Sequence, residues 1–131
     1  MKLRLLSLLL ALTLVLSLLP VGVAAADEDP DIVEYQGLEF NKVTHTIQKC
    51  ILNSSSIVIP SQIEGETVEK IADRAFVGAT MTSVTIPNTI KEIGDSAFDR
   101  CSGLKTVVLH GGGTVKLAIG QRAFASTGIT S

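Results

Sequence analysis

The sequence predicts a solenoid of stacked coils, horseshoe-like and of the α/β class, made mainly of short parallel strands with helical corners. One six-residue pattern occurs three times, at residues 71–76, 93–98 and 119–124. Each copy has an isoleucine, a small residue, two polar residues and then Ala-Phe. Units that repeat every twenty-odd residues stack so that each buries its apolar face against its neighbours.

The middle copy indicates how one coil is built. Val-Thr-Ile at 84–86 alternates as a strand does, and Pro87 ends the strand because proline cannot donate to a strand ladder. Gly94 marks a tight turn. The Ala-Phe pair then leads into a predicted helical corner, and the next strand begins at Val107.

The repeated apolar positions define the predicted core. Because each phenylalanine follows an inward alanine at a fixed offset, a stacked core ladder is a better interpretation than an aromatic binding stripe. Cys101 occupies a position that suits a small buried hydrophobic residue. The predicted core residues are Ile71, Phe76, Ile93, Phe98, Cys101, Ile119 and Phe124.

Two segments lengthen the spacing between copies. Residues 62–67 precede the first copy and residues 111–116 precede the third, and both are predicted to be hairpin-like excursions at one edge of the coil. The glycines at 111–113 have neither the spacing of a dinucleotide-binding turn nor a P-loop lysine, so they indicate a flexible turn.

The first 26 residues are typical of a secretory signal peptide. A basic start at Lys2 and Arg4 is followed by an apolar run, and small residues allow cleavage after Ala26. A membrane-spanning helix is the competing interpretation, but it needs about 20 unbroken apolar residues and Pro20 interrupts the run earlier. Loss of Lys2 and Arg4 takes the formal charge from −2 to −4, and we expect no membrane span after cleavage.

The segment ahead of the repeats is predicted to cap them. Strand-like stretches at 35–43 and 46–52 are joined near His45, and the solenoid then begins with Ile-Val-Ile-Pro at 57–60. A terminal coil needs such a cap because its outer face otherwise stays wet. The predicted divisions are a signal peptide at 1–26, a polar tail at 27–31, a capping hairpin at 32–56, and a solenoid of about three repeats at 57–131, the last one truncated.

These residues resemble a known family. The stretches IPSQIEGETVEKIADRAF and VTIPNTIKEIGDSAFDRCSGLKTVVL are similar to the BspA-like leucine-rich repeats of bacterial surface proteins. Departures are minor: Ala72 replaces the usual glycine, Ala79 stands near the cysteine position, and Leu109-His110 replaces Ile-Pro. The resemblance implies a leucine-rich-repeat solenoid in a secreted or surface protein that acts in adhesion or protein binding. A shared fold does not by itself carry a function.

The third repeat is predicted to be incomplete. Ser131 aligns with Ser83, one residue before the strand that begins at Val84. Either the chain is a truncated piece of a longer product, or a partner covers this end. An uncovered parallel edge invites pairing, so we expect association through the uncapped C-terminal edge.

The sequence predicts no enzyme, no cofactor and no metal site. Catalysis needs a nucleophile, a base and an orienting group, and the only histidines, His45 and His110, are predicted in turns. No His-x-x-x-His or Cys-x-x-Cys spacing supplies zinc ligands. Asp95 and Asp99, with Glu92 nearby, suggest a carboxylate pair, but their repeat positions are predicted to face solvent. The mildly acidic chain has no basic cluster, so nucleic-acid binding is not expected.

Cys50 and Cys101 are predicted to be free. Secretion permits a disulfide, but two cysteines this far apart in sequence make no disulfide framework. Because a solenoid places sequence-distant residues on different coils, a bridge between them is the less favoured alternative.

The predicted binding face is made of three outward strand positions, Thr85, Thr106 and Val108, and of Lys105, which flanks them. Small hydroxyl residues give a flat polar surface suited to host or cell-surface proteins or glycans, although any soluble strand also shows polar outward residues. The sequence therefore favours a secreted, extracellular or cell-surface binding module. The alternative is a structural spacer or truncated fragment with no ligand of its own. A secreted hydrolase, the third class, lacks a triad or carboxylate pair.

Overall fold

A computed structural model describes residues 29–112 and 116–130. The predicted signal peptide at 1–26, the first two residues of the polar tail, residues 113–115 of the second insertion, and Ser131 lie outside the described residues.

The described residues form eleven short strands in three sheets. A six-stranded sheet, here called the long sheet, has the order β1-β2-β3-β7-β9-β11, and a three-stranded sheet, the short sheet, has the order β10-β8-β4. The strands are β1 (Ile32–Tyr35), β2 (Leu38–Asn41), β3 (Thr46–Cys50), β4 (Ser56–Val58), β5 (Gln62–Ile63), β6 (Glu66–Thr67), β7 (Lys70–Ile71), β8 (Ser83–Ile86), β9 (Glu92–Ile93), β10 (Thr106–Leu109) and β11 (Ala118–Ile119).

Each coil contributes one strand to each of the two larger sheets. The middle coil runs from β8 through a turn to β9, rounds a corner at 94–101 and returns to the short sheet at β10. Within the short sheet the strands are parallel, and Ile57, Val84 and Val107 lie in register. The equivalent isoleucines Ile71 and Ile93 lie in register in the long sheet. The repeats of the sequence therefore stack as the coils of a solenoid.

The corners are turns and not the helical corners that the sequence predicts. In the middle corner every second N–H, at Ser96, Phe98 and Arg100, donates to a carbonyl of the following coil at 2.7–3.1 Å. The N–H groups between them donate to carbonyls three residues earlier. Ser96 and Arg100 have positive φ values of 54° and 59°, which interrupt a right-handed helix. Bonding between coils thus replaces helical bonding, and no helix forms in the described ranges.

A three-stranded meander precedes the first coil. Strands β2 and β3 form the hairpin that the sequence predicts, and β1 adds an antiparallel strand that the sequence analysis missed. Strand β3 pairs in parallel with β7, with Ile47 beside Ile71. Leu38 and Phe40 of β2 are buried in the same core as the coils. The meander therefore extends the isoleucine column of the solenoid by one residue.

The two insertions differ in what they form. Residues 62–67 are the short antiparallel hairpin β5–β6, as predicted, and its turn residues Glu64 and Gly65 have positive φ values of 51° and 86°. The second insertion leaves β10 at exposed His110 and rejoins the coil before β11, and its middle lies outside the described residues.

The phenylalanines form a stacked column inside the corners. The ring centroids of Phe76 and Phe98 are 4.8 Å apart, and those of Phe98 and Phe124 are 5.1 Å apart with planes 2° from parallel. Phe76 and Phe98 are buried together with the core isoleucines and Cys101. Two predicted core residues differ: Ile119 is 54% exposed and Phe124 is partly buried. Among the described residues no further coil packs over them.

Replacing Phe98 with alanine tests this column. The ring is fully buried and stacks on a phenylalanine on each side, so its removal leaves a cavity that two neighbouring coils line. We expect Phe98→Ala to lower the free energy of unfolding by about 3–5 kcal/mol, measured by urea denaturation. Phe124→Ala is the matched control and should cost less, because that ring is partly exposed and, among the described residues, stacks on Phe98 alone. Equal costs at the two positions would contradict the stacked column.

Candidate functional site

The outer face of the short sheet carries three of the four residues predicted for binding. Because the strands are in register, outward side chains from different coils form rows. One row is Val58, Thr85 and Val108, and the neighbouring row is Ser56, Ser83 and Thr106. The fourth predicted residue, Lys105, is exposed and directly precedes β10.

One row of this face is polar, and the other combines two valines with Thr85. The Ser83 hydroxyl donates to the Ser56 hydroxyl at 3.1 Å, which links two of the three residues of the polar row. Val58 and Val108 are 66% and 41% exposed and flank the half-buried Thr85. The sequence predictions did not include Ser56, Val58 and Ser83. Aligning 57–60 with 84–87 pairs Val58 with Thr85, and extending that alignment by one residue pairs Ser56 with Ser83.

A second surface feature lies outside the corners, and we call it the arginine cleft. Its lining residues are Arg74, Val77, Ser96, Asp99, Arg100 and Arg122. The cleft has a volume of about 430 Å³, and all three coils contribute to it. The three arginines and Ser96 have φ values between 54° and 59°, so the backbone turns that replace the helical corners also set where these side chains start. The cleft was not predicted from the sequence.

Asp99 is buried in this cleft, which corrects the prediction that it faces solvent. Only 8% of the residue is exposed. Its Oδ2 lies 3.8 Å from Nη2 of Arg122, and its Oδ1 has no hydrogen-bond partner among the described residues. Asp95, the other half of the suggested carboxylate pair, is exposed, so the two carboxylates do not share one environment.

Asp95 instead belongs to a column of carboxylates that bonds one coil to the next. Asp73 accepts a hydrogen bond from the N–H of Asp95 at 2.8 Å, and Asp95 accepts one from the N–H of Gln121 at 2.7 Å. These carboxylates explain the repeated glycines. A Cβ at Gly94 would lie 2.5 Å from the backbone nitrogen of Asp73, and one at Gly120 would lie 2.6 Å from that of Asp95. Glycine at this position therefore allows two coils to approach closely, whereas the sequence predicted a tight turn as the reason for Gly94.

The two histidines lie beside different sheets, because His45 precedes a strand of the long sheet and His110 follows a strand of the short sheet. The His45 ring lies 3.0 Å from the Thr67 carbonyl, and His110 is exposed after β10. Across residues 29–112 and 116–130, no group of three or more histidine, cysteine or acidic residues is placed to hold a metal ion. The same ranges contain no helix long and apolar enough to cross a membrane.

The two cysteines are free thiols. Cys101 is buried and its thiol donates to the Phe76 carbonyl at 2.9 Å, whereas Cys50 is partly exposed. Burial raises the pKa of both thiols above the usual value.

The architecture defines the class of protein: a short solenoid of leucine-rich-repeat type. The family model for the BspA type Leucine rich repeat region (6 copies) matches residues 34–131. The chain therefore belongs to the BspA-type leucine-rich-repeat family. This finding confirms the resemblance noted in the sequence. A search of curated proteins finds no match.

Solved structures of bacterial leucine-rich-repeat proteins are similar to this chain. A leucine rich cell surface protein from Faecalibacterium prausnitzii is 34% identical with a TM-score of 0.63, and the match covers 77% of this chain and 29% of that one. A leucine-rich repeat protein from Bacteroides capillosus is 26% identical with a TM-score of 0.55, covering 60% and 65%. One from T. pallidum is 26% identical with a TM-score of 0.53, covering 58% and 38%. The matches span less than two thirds of each of these proteins.

Substitution of Asp95 tests the carboxylate column. Asp95→Ala removes the acceptor for the Gln121 N–H, and we expect a loss of about 1 kcal/mol in the free energy of unfolding. Asp95→Asn keeps an oxygen acceptor and should lose less. Asp31→Ala is the control, since its exposed side chain makes no hydrogen bond among the described residues. Equal losses for the alanine and asparagine variants in urea denaturation would exclude a role for this acceptor.

Thiol modification tests the positions of the cysteines. Because both pKa values are raised, the reactive thiolate forms at higher pH than in an unfolded chain. At neutral pH we expect a disulfide reagent to modify both thiols more slowly than in urea, and Cys101 more slowly than Cys50. The variants Cys50→Ser and Cys101→Ser each isolate one thiol for measurement. A native Cys101 that reacts as fast as the unfolded thiol would contradict its burial.

Proposed function

We propose that this protein is a secreted or cell-surface binding module, that it is not an enzyme, and that the outer face of the short sheet contacts a partner protein. The observation that carries the proposal is the in-register row of Val58, Thr85 and Val108, in which the two valines are substantially exposed. Exposed apolar side chains beside small hydroxyl residues are suited to contact with the surface of a partner protein. The signal-peptide pattern and the cell-surface relative support the proposed location.

The size of the face limits the strength of such a contact. Three strands of up to four residues cover roughly 200 Å², from the usual spacing of strands and residues. A standard protein interface buries about 800 Å² on each partner. Contact through this face alone is therefore expected to be weak, and tighter binding needs flanking residues such as Lys105 or several copies acting together.

The competing function is a structural spacer in a longer surface protein. The alignment with the Faecalibacterium prausnitzii protein covers only 29% of that chain, which favours neither function by itself. A spacer requires no ligand surface on its strands. The two functions therefore differ in whether charges introduced on the sheet face change the binding of a partner protein.

Charge placed on the sheet face tests the proposal. We expect the double variant Thr85→Glu and Thr106→Glu to lose retention on arrays of extracellular-matrix proteins, because two carboxylates would face any apolar partner surface. The matched control is Gln62→Glu with Gln121→Glu, which adds the same charge at exposed positions outside the short sheet. Each variant is first checked by its urea midpoint.

The comparison with the control decides the outcome. Retention by the original chain and the control, with loss in the sheet variant, supports the binding face. Unchanged retention by the sheet variant removes this face as the site, and no retention by any of the chains favours the spacer.

A further inference from the structure

We propose that the arginine cleft binds an acidic saccharide, a sugar that carries a carboxylate or sulfate group next to free hydroxyls. The cleft lies at the corners and not on the short sheet, so this proposal is independent of the protein-binding face. Its volume of about 430 Å³ lies within the range of about 300–1,000 Å³ that is usual for small-ligand sites.

The distribution of arginine in the chain singles out this cleft. Outside the predicted signal peptide the sequence has three arginines, Arg74, Arg100 and Arg122, and all three line the cleft. Lysines supply the other positive charges, and two of them form ion pairs, Lys70 with Glu92 and Lys91 with Glu69. Three arginines and one aspartate leave two excess positive charges in the cleft of an acidic chain. Planar guanidinium groups recognise carboxylate and sulfate oxygens through paired hydrogen bonds.

Asp99 requires a hydrogen-bond donor from the ligand, which a simple anion does not supply. The side chain of Asp99 is only 11% exposed, and its Oδ1 lacks a hydrogen-bond partner among the described residues. Its Oδ2 lies 3.8 Å from Nη2 of Arg122, beyond hydrogen-bond distance. A buried carboxylate without a full set of partners destabilises the fold. A ligand hydroxyl that displaces the Arg122 side chain would supply the missing donor, while the freed guanidinium binds the ligand's acidic group.

The middle coil differs from both neighbouring coils at three positions that line the cleft. Ser96 takes the place that Arg74 and Arg122 occupy in the other coils. Asp99 takes the place of Val77 and Ala125, and Arg100 takes the place of Gly78 and Ser126. The small serine leaves open the space between the two flanking arginines. With the neighbouring coils' residues at 96 and 99, the repeat position of Ser96 would be arginine in all three coils and the cleft would hold no buried carboxylate. The repeat therefore explains the scaffold of the cleft but not its contents.

A sugar fits these groups better than a peptide does. The N–H groups of Arg74, Ser96 and Arg100 are already bonded to the following coil, so the cleft offers no backbone edge along which a peptide chain adds as a strand. Recognition has to come from side chains. These provide guanidinium donors, one hydroxyl and one carboxylate, a combination that matches adjacent acidic and hydroxyl groups on one compact ring.

The test is to titrate sugars and a peptide into the protein produced from the complete coding sequence and to record its backbone amide NMR signals at each step. Sialyllactose carries the carboxylate, a sulfated galactose carries the sulfate, lactose is the neutral sugar and tetraglutamate is the acidic peptide. We expect one or both acidic sugars to shift the amides of residues 96–100 and to saturate with a Kd of about 1 mM. The response to each acidic sugar shows which acidic group the cleft takes.

Variants separate a built site from simple charge attraction. Arg122→Lys keeps the charge but loses the planar fork, and we expect binding about tenfold weaker. Ser96→Arg adds a positive charge yet fills the cleft as in the neighbouring coils, so it should also weaken binding by about tenfold or more. The control Lys105→Gln removes a positive charge elsewhere and should leave the Kd unchanged.

Asp99→Val gives a second readout, because it installs the residue of the first coil. We expect it to raise the urea midpoint and to lose acidic-sugar binding by about tenfold or more. Equal shifts with lactose or tetraglutamate, no shift with either acidic sugar at about 10 mM, or tighter binding by Ser96→Arg would overturn the proposal. So would an Asp99→Val protein that binds acidic sugar unchanged.

Discussion

The alternation of backbone donors along each corner is the constraint on which the rest of this solenoid depends. Every second N–H donates to the next coil and the intervening ones donate three residues back, as at Ser96 and Ala97. A helix uses its N–H groups along its own axis, so a helical corner would leave the coils joined only by their short strands. Because every second corner N–H is not used within a helix, it is free to bond to the next coil, and each coil is bonded to the next around most of its circumference.

The side-chain columns follow from this stacking. Bonding in register brings the same repeat position of successive coils together, so one favourable contact recurs at every level. Phe98 stacks between two equivalent phenylalanines, and Ile47, Ile71 and Ile93 lie in register along the long sheet. The carboxylate of Asp73 occupies the space that a glycine at position 94 leaves open. The repeated isoleucines, phenylalanines and glycines are therefore sites of contact between coils.

A regular repeat also shows where residues serve something other than stacking. The isoleucine and phenylalanine core positions keep the same residue type in each copy, because each packs against the equivalent residue of the next coil. Asp99 breaks this pattern, because it is buried and one of its carboxylate oxygens has no hydrogen bond. The three arginines that line the same cleft are all the arginines of the described residues. The outer face of the short sheet follows the repeat closely, with a residue of each coil in every row. The two surfaces thus differ in origin, since one is a product of the repeat and the other a departure from it.

The sequence by itself determined the repeat, its register and the family, because the spacing of isoleucine and phenylalanine reflects which residues face the core. It also identified the β5–β6 hairpin, and it placed Thr85, Thr106 and Val108 on outward strand positions. Only the tertiary structure decided that the corners are turns, since bonds to the next coil outweigh local helix formation. It also decided the arginine cleft. Arg74, Arg100 and Arg122 are far apart in sequence and become neighbours only through stacking, and burial of Asp99 depends on the coils on either side.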